Sequence, residues 1–257
     1  MKAIDTHAHL VKSYYQDNLE DIIEKSLNEL EYVFNIGTDL NSIEEILNLN
    51  KKYKKLIPVL GIHPYDVKEL DQNKAKWLKK TIIENKEKIK AIGEIGLDYS
   101  RNIKLTEKII QKKWFIFQLK LADELNLPVV IHGRDAYEDI YEIILKFPNL
   151  NYLIHSFTGE KKILLQFLKL KNLMISVNGI LTFKNANQVK ENAKIIPLEK
   201  ILFETDCPYL TPVPFRGKKN YPFYLKYVLE EFAKMKNIEL NKLIDITNKN
   251  AKKFYQI

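Results

Sequence analysis

Eight short β-rich runs, separated by longer stretches with apolar residues at three- and four-residue spacing, leave this chain few ways to fold. The runs lie at 3–6, 32–36, 57–62, 90–93, 129–131, 152–154, 173–177 and 201–204. Helical patterns fill 18–30, 42–53, 74–87, 106–125 and 136–146, with Ile23, Leu27 and Leu30 as one example of the spacing. Further helices around 223–234, 240–247 and 250–255 close the chain. Strands alternating with helices imply parallel pairing through right-handed crossovers. No linker, low-complexity tract or charge block divides the sequence, so residues 1–257 read as a single domain. Polar residues sit at the ends of most strands. An open doubly wound sheet gathers its site at one switch point, whereas a barrel brings every strand end to one mouth. The expected fold is therefore α/β, a (β/α)₈ TIM barrel of the metal-dependent hydrolase type.

No apolar run reaches the roughly 18 residues of a membrane span, and no basic-then-apolar secretion signal opens the chain. The lone cysteine, Cys207, excludes an internal disulfide framework and suits a reducing compartment. A cytoplasmic protein with no membrane partner and no evident stable protein partner is expected. The net charge of +8 hints at a polyanion, but a sequence saturated with Lys, Asn and Ile carries much of that excess as solvated surface. The scarcer residues say more. Arg101, Arg134 and Arg216 are the three arginines, each near a candidate ligand or a Pro/Gly-rich loop. Where lysine serves elsewhere, an arginine suggests a need for its planar fork.

Asp5-Thr6-His7-Ala8-His9 ends the first run. In extended chain His7 and His9 project to one side, where both imidazoles reach one ion. Glu94 follows the fourth run among apolar residues and glycines, a costly place for a carboxylate unless something positive faces it. A lysine ion pair and a carboxylate bridging two cations both answer that need. His132 and His155 end the fifth and sixth runs at equivalent barrel positions. Alternation in Ile201-Leu202-Phe203-Glu204-Thr205-Asp206 puts Glu204 and Asp206 on one face, with Asp206 nearer the mouth. The set His7, His9, Glu94, His132, His155 and Asp206 exceeds one tetrahedral site, so two divalent ions (Zn, Mg or Mn) about 3.5–4 Å apart are expected.

These segments, together with Gly61-Ile62-His63-Pro64, 93–99, 127–136, 155–159, 204–217 with Asn220 and Pro222, and Thr247-x-x-Asn250, resemble the TatD family of metal-dependent deoxyribonucleases along essentially the whole chain. Tyr65 and Gly133 depart from the usual pattern, which has a histidine and a polar residue there. The resemblance implies that His7, His9 and Asp206 hold one metal, His132 and His155 the other, and that Glu94 bridges them.

The two ions are expected to lower the pKa of a bridging water from about 15.7 toward 7, giving a hydroxide nucleophile that Asp206 orients or deprotonates. Glu204 aligns a ligand or water, or forms a buried ion pair. Arg134 forks onto a phosphate or pairs with Asp135 or Glu138. His63 is read as a substrate hydrogen-bonding group. The loop Pro212–Tyr221 carries Arg216, Lys218 and Lys219 with Phe215 and Tyr221, and it mixes the cations and aromatic rings that grip single-stranded DNA; Asn220 belongs to the same substrate-binding group. Cys207 is read as packing. The function implied is hydrolysis of DNA phosphodiesters, as a 3′–5′ exonuclease on single-stranded or frayed ends. Two rivals stand beside it. One is a metal-dependent ester or amide hydrolase such as a D-aminoacyl-tRNA deacylase, and the other is a non-catalytic nucleic-acid-binding scaffold.

Overall fold

The computed structural model describes residues 1–101 and 103–257. Its strands are β1 (Ile4–Ala8), β2 (Tyr32–Ile36), β3 (Leu56–Val59), β4 (Ile92–Asp98), β5 (Val129–Arg134), β6 (Tyr152–Ile154), β7 (Leu173–Val177) and β8 (Ile201–Phe203). All neighbouring pairs are parallel, β1 to β3 forming one sheet and β4 to β8 another. Two seams close the ring. Gly93 N donates to Leu60 O and Lys90 N to Pro58 O at one, and His9 N donates to Cys207 O and Asp206 N to His7 O at the other. The result is the expected (β/α)₈ barrel.

Each strand sends side chains both inward and outward. Ile4, Phe34, Val59, Val130, Leu153 and Leu202 fill the barrel interior as one cluster, while Val33, Ile131, Ile154 and Ile175 face the surrounding helices. The helices include α1 (Lys12–Tyr15), α2 (Leu19–Glu29), α3 (Leu40–Lys52), α4 (Gln72–Glu84) and α5 (Leu105–Leu125). They continue with α6 (Tyr137–Ile144), α7 (Lys161–Lys169), α8 (Asn187–Ile195), α9 (Leu225–Lys236) and α10 (Leu240–Tyr255). Asp39 and Asp71 cap α3 and α4 by accepting from Ser42 N and Lys74 N. Among the described residues no helix is long and apolar enough to cross a membrane.

The closing helix departs from expectation. Residues 240–255 form one continuous α10, not two pieces. Thr and Asn are weak helix formers, and the run Thr247-Asn248-Lys249-Asn250 suggests a break. Tertiary bonds override that preference. Asn248 accepts from Ile4 N at 3.1 Å, and Asn250 donates to Leu198 O and Ile201 O at 2.7 and 3.0 Å. The helix thereby drives Tyr255 into the barrel floor, stacked on Phe34 with its hydroxyl on Thr6 O.

A buried carboxyl fastens the second seam. Asp5 accepts from Thr205 N at 2.9 Å and from Thr205 Oγ1 at 2.6 Å. Burial without a facing cation pushes its pKa up to about 8. A carboxyl raised in the folded state holds its proton longer than in the unfolded chain. Its contribution to stability is full below the ordinary value and is lost as pH rises through the folded value. Asp5→Asn should thus destabilise the protein more near pH 5 than near pH 8, by on the order of 2 kcal/mol in urea unfolding. An equal gap at both pH values would refute the protonated carboxyl.

Candidate metal centre

Two irregularities place the key side chains. Between Asp5 and Ala8, β1 has one residue more than its partner β2, and between Ile92 and Ile95, β4 has one more than β5. Such bulges re-aim side chains at barrel rims. Here they fall on His7 and on Glu94. Glu94 therefore lies inside β4, which runs on to Asp98, and not beyond a strand ending at residue 93 as the sequence suggested. Two glycines conceal the continuation, because glycine weakens a strand pattern. Gly96 is required: at φ 147° a Cβ there would sit 2.0 Å from His132 O. The bare backbone lets β4 and β5 approach, and Glu94 meets His132. At the ends of β6 and β8, Ser156 and Asp206 adopt left-handed φ values of 47° and 54°. Non-glycine residues take that region rarely, and it turns the Asp206 carboxylate back over the mouth.

Glu94 is the hub. Its carboxylate has a ring nitrogen of every one of the chain's five histidines within 3.6 Å. Oε2 lies 3.3 Å from His7 Nε2 and 3.6 Å from His9 Nε2. Oε1 lies 2.7 Å from His132 Nδ1, 2.7 Å from His155 Nε2 and 3.6 Å from His63 Nε2. Asp206 Oδ1 completes the first group, 3.4 Å from His9 Nε2 and 3.9 Å from His7 Nε2. Burial alone would raise the carboxyl of Glu94, yet His155, His63 and the bonds from His132 and His155 hold it well below the usual range. Burial works against the charge on His155, but Glu94 and Glu204 lift it well above the ordinary histidine value.

Partners behind the ring set which nitrogen faces inward. His9 Nδ1 lies 3.0 Å from Ile36 O, so it carries the proton and leaves Nε2 free to point at the cluster. His132 turns the other way, its Nε2 2.9 Å from Asp98 Oδ2 and its Nδ1 facing Glu94. Asp98 is held in turn by Ser100 N and Oγ. His155 Nδ1 lies 3.4 Å from Glu204 Oε1, beyond a good hydrogen bond. Glu204 also accepts from Ser156 N at 2.9 Å and from Ser176 Oγ at 2.5 Å. His63 differs: its Nδ1 accepts from Tyr65 N, which puts the proton on Nε2. Burial and the neighbouring His132 depress its pKa to about 3, so it is a neutral donor toward the mouth.

These residues fit a metal. With bonds of about 2.1 Å, tetrahedral ligand atoms stand about 3.4 Å apart, close to the spacings among His7, His9, Glu94 and Asp206. The His7 and His9 Nε2 atoms themselves are 3.2 Å apart, too close for two protonated rings. Imidazole mixed with carboxylate is the donor set of Zn or Mn rather than Ca. Three groups bring their donor atoms within 4.8 Å of one another: His7–His9–Glu94, His63–Glu94–His132 and His7–His155–Glu204.

The sequence profile described as TatD related DNase matches residues 4–256. The chain belongs to the TatD family. A Bacillus subtilis relative, the uncharacterized metal-dependent hydrolase YabD, is 39% identical over 256 residues, covering 98% of each chain. A Mycoplasma genitalium metal-dependent hydrolase, MG009, is 39% identical over 269 residues, covering 99% of each. The fold matches that of the TatD homologue YJJV from Escherichia coli at a TM-score of 0.91 and 22% identity, covering 99% of this chain and 98% of that one. The protein is a TatD-family metal-dependent hydrolase.

Around the TatD centre a cavity of about 580 Å³ opens at the mouth, lined by His63, Arg101, Arg134, Asp66, Tyr14 and Tyr209 among others. Arg134 is exposed and makes no ion pair with Asp135 or Glu138 among the described residues. Arg101 lies 4.1 Å over the Tyr65 ring. Arg216 stands outside the lining, over Phe183. Asn220, expected at the substrate, is fully buried, and its amide donates to Thr205 O and Tyr209 O, which braces the loop. Cys207 is buried, its thiol pushed up to about 12 by burial, in keeping with packing. The sequence reading passed over Ser176, Tyr14 and Tyr209, whose roles depend on partners 28 to 195 residues away.

Proposed function

We propose that this TatD hydrolase is a deoxyribonuclease that works in the cytoplasm on single-stranded or frayed DNA from the 3′ end, the whole chain acting as one catalytic unit. The observation that carries the proposal is the Glu94 carboxylate shared by five histidines beneath a mouth lined by Arg101 and Arg134. On this reading His7, His9 and Asp206 would hold one divalent ion and His132 and His155 a second, with Glu94 shared between them. Bound there, the ions would make a water acidic enough to attack at neutral pH and would polarise a phosphoryl oxygen.

The protein groups do the rest. Asp206 orients the attacking water and takes its proton. Glu204 steadies His155 from behind. His63 offers its Nε2 proton to the substrate, and the Arg134 guanidinium forks onto a phosphate. An ester or amide hydrolase would use the same centre, so substrate assays separate the readings. Single-stranded DNA, RNA and aminoacyl-tRNA, each with Mg²⁺, Mn²⁺ and Zn²⁺, should show metal-dependent cleavage fastest on DNA, starting at the 3′ end. Cleavage of aminoacyl-tRNA alone would replace the nuclease reading, and DNA binding without cleavage would leave a scaffold. Arg134→Lys keeps the charge but loses the fork, so kcat/KM on DNA should fall about tenfold or more with the melting temperature unmoved.

A further inference from the structure

A second groove lies where the end of α1 and the first half of α2 meet the last residues of the Pro212–Tyr221 loop and Phe223. It encloses about 290 Å³ and is lined by Tyr15, Asp21, Lys25, Lys219, Tyr221 and Phe223, with Asn18 and Ile22. Its chemistry is that of an unpaired nucleotide site, with cations for phosphate, aromatic faces for a base and a carboxylate for an exocyclic amine. The Phe223 ring is half-buried, and one face stacks on Tyr221 at 5.1 Å and 6°. Lys25 Nζ sits 4.0 Å from its centroid. An exposed lysine over an aromatic face is a weak contact. A base stacking there would displace the ammonium onto the adjoining phosphate and exchange one weak interaction for two stronger ones.

Contacts connect this groove to the metal centre. The Tyr209 ring packs edge-on to His9 at 6.3 Å and to Tyr14 at 5.7 Å, with the two tyrosine hydroxyls 2.8 Å apart. Tyr209 is 49% exposed, far more than a packing role requires. Lys219 then bonds Tyr14 O and lies 5.4 Å over the Tyr15 ring, at the edge of the groove. Aromatic and cationic groups thus run without interruption from His9 to Phe223.

We propose that this groove binds a nucleotide of a single strand several residues from its reacting end, the strand crossing Tyr209 and Tyr14 on the way. The proposal rests on the reading of the mouth as a DNA site, and binding measured apart from cleavage separates the two. Fluorescence anisotropy on the metal-loaded protein would compare an oligodeoxycytidylate of about ten nucleotides, carrying cleavage-resistant phosphorothioate linkages, with a trinucleotide of the same kind, using wild type, Lys25→Gln and Phe223→Leu. The long strand should lose about fivefold or more in affinity in each variant, while the trinucleotide, too short to span both sites, binds as before. Lys25→Gln should also flatten the long strand's log–log salt slope by about 0.7. Wild-type affinity of the long strand in both variants, a parallel loss for both lengths, or no binding by the wild type would overturn the groove. Cleavage of the unmodified strand of the same length with Mn²⁺ is scored separately. Groove-dependent binding without cleavage removes the nuclease reading and keeps the groove, whereas cleavage with groove-independent binding does the opposite.

Discussion

Glu94→Ala should leave purified protein with little bound metal and reduce hydrolysis by about a thousandfold or more, the equivalent of on the order of 4 kcal/mol of transition-state stabilisation. The expectation follows from geometry. One carboxylate stands within 3.6 Å of a nitrogen from every histidine in the chain, its Oε2 facing His7 and His9 and its Oε1 facing His132 and His155. Glu204 also lies within 4.8 Å of nitrogens of His7 and His155, but among the described residues Glu94 is the carboxylate that meets His9 and His132 as well. Glu94→Gln, which keeps the volume and one oxygen, serves as the folding control and should lose metal almost as fully. Glu204→Gln provides the contrast. Its remaining oxygen still accepts from Ser156 N, and it meets His155 at Nδ1, away from the Nε2 that faces Glu94, so most metal should remain. Elemental analysis of the three proteins decides the matter. Full occupancy in the Glu94 variants would end the bridging role.

Asp98→Ala should weaken one class of metal site by about 10- to 100-fold and leave the other unchanged. Asp98 Oδ2 fixes the His132 ring through Nε2, and that alone points Nδ1 at Glu94. The backbone of Asp98 is pinned independently, its N–H donating to Gln111 Oε1 and its carbonyl accepting from Gln111 Nε2. Truncation should therefore free the imidazole without loosening the strand end. Competitive metal titration should resolve a weakened class and an intact one, the latter belonging to His7, His9 and Asp206. Equal weakening of both classes would mean that Asp98 acts through the strand and not through His132.

Much of the barrel was legible because its strands are apolar runs of the right length, bounded by polar residues. The β6 and β7 runs at 152–154 and 173–177 coincide with the observed strands. The bulges were not legible, since one extra residue in a parallel pair leaves only a glycine-rich patch in β4 and nothing in β1. Four of the six proposed ligands were visible as scarce histidines near strand ends, and Glu94 and Asp206 as carboxylates beside apolar runs; the structure brings all six together. What stood behind them was harder to see. Asp98 reads as another loop carboxylate until His132 is placed against it. The bracing by Asn220 could not be read from the sequence, because its partners are the backbone carbonyls of Thr205 and Tyr209. The half-buried rings of Tyr221 and Phe223 became meaningful only when α2 supplied Lys25 from almost two hundred residues earlier.

The barrel wall consists of two sheets, and the candidate ligands are divided between them. His7 and His9 come from the three-stranded sheet, whereas Glu94, His132 and His155 belong to the five-stranded one and Asp206 follows its last strand. Any cation gripped by both groups is a clasp across the joints as well as a reagent. Ligation then opposes parting of the two sheets with a strength set by free metal concentration, in the manner of any ligand that binds the closed form alone. Metal supply thereby becomes a determinant of how long the wall stays shut, and a cell starved of that ion would hold a looser enzyme as well as a slower one.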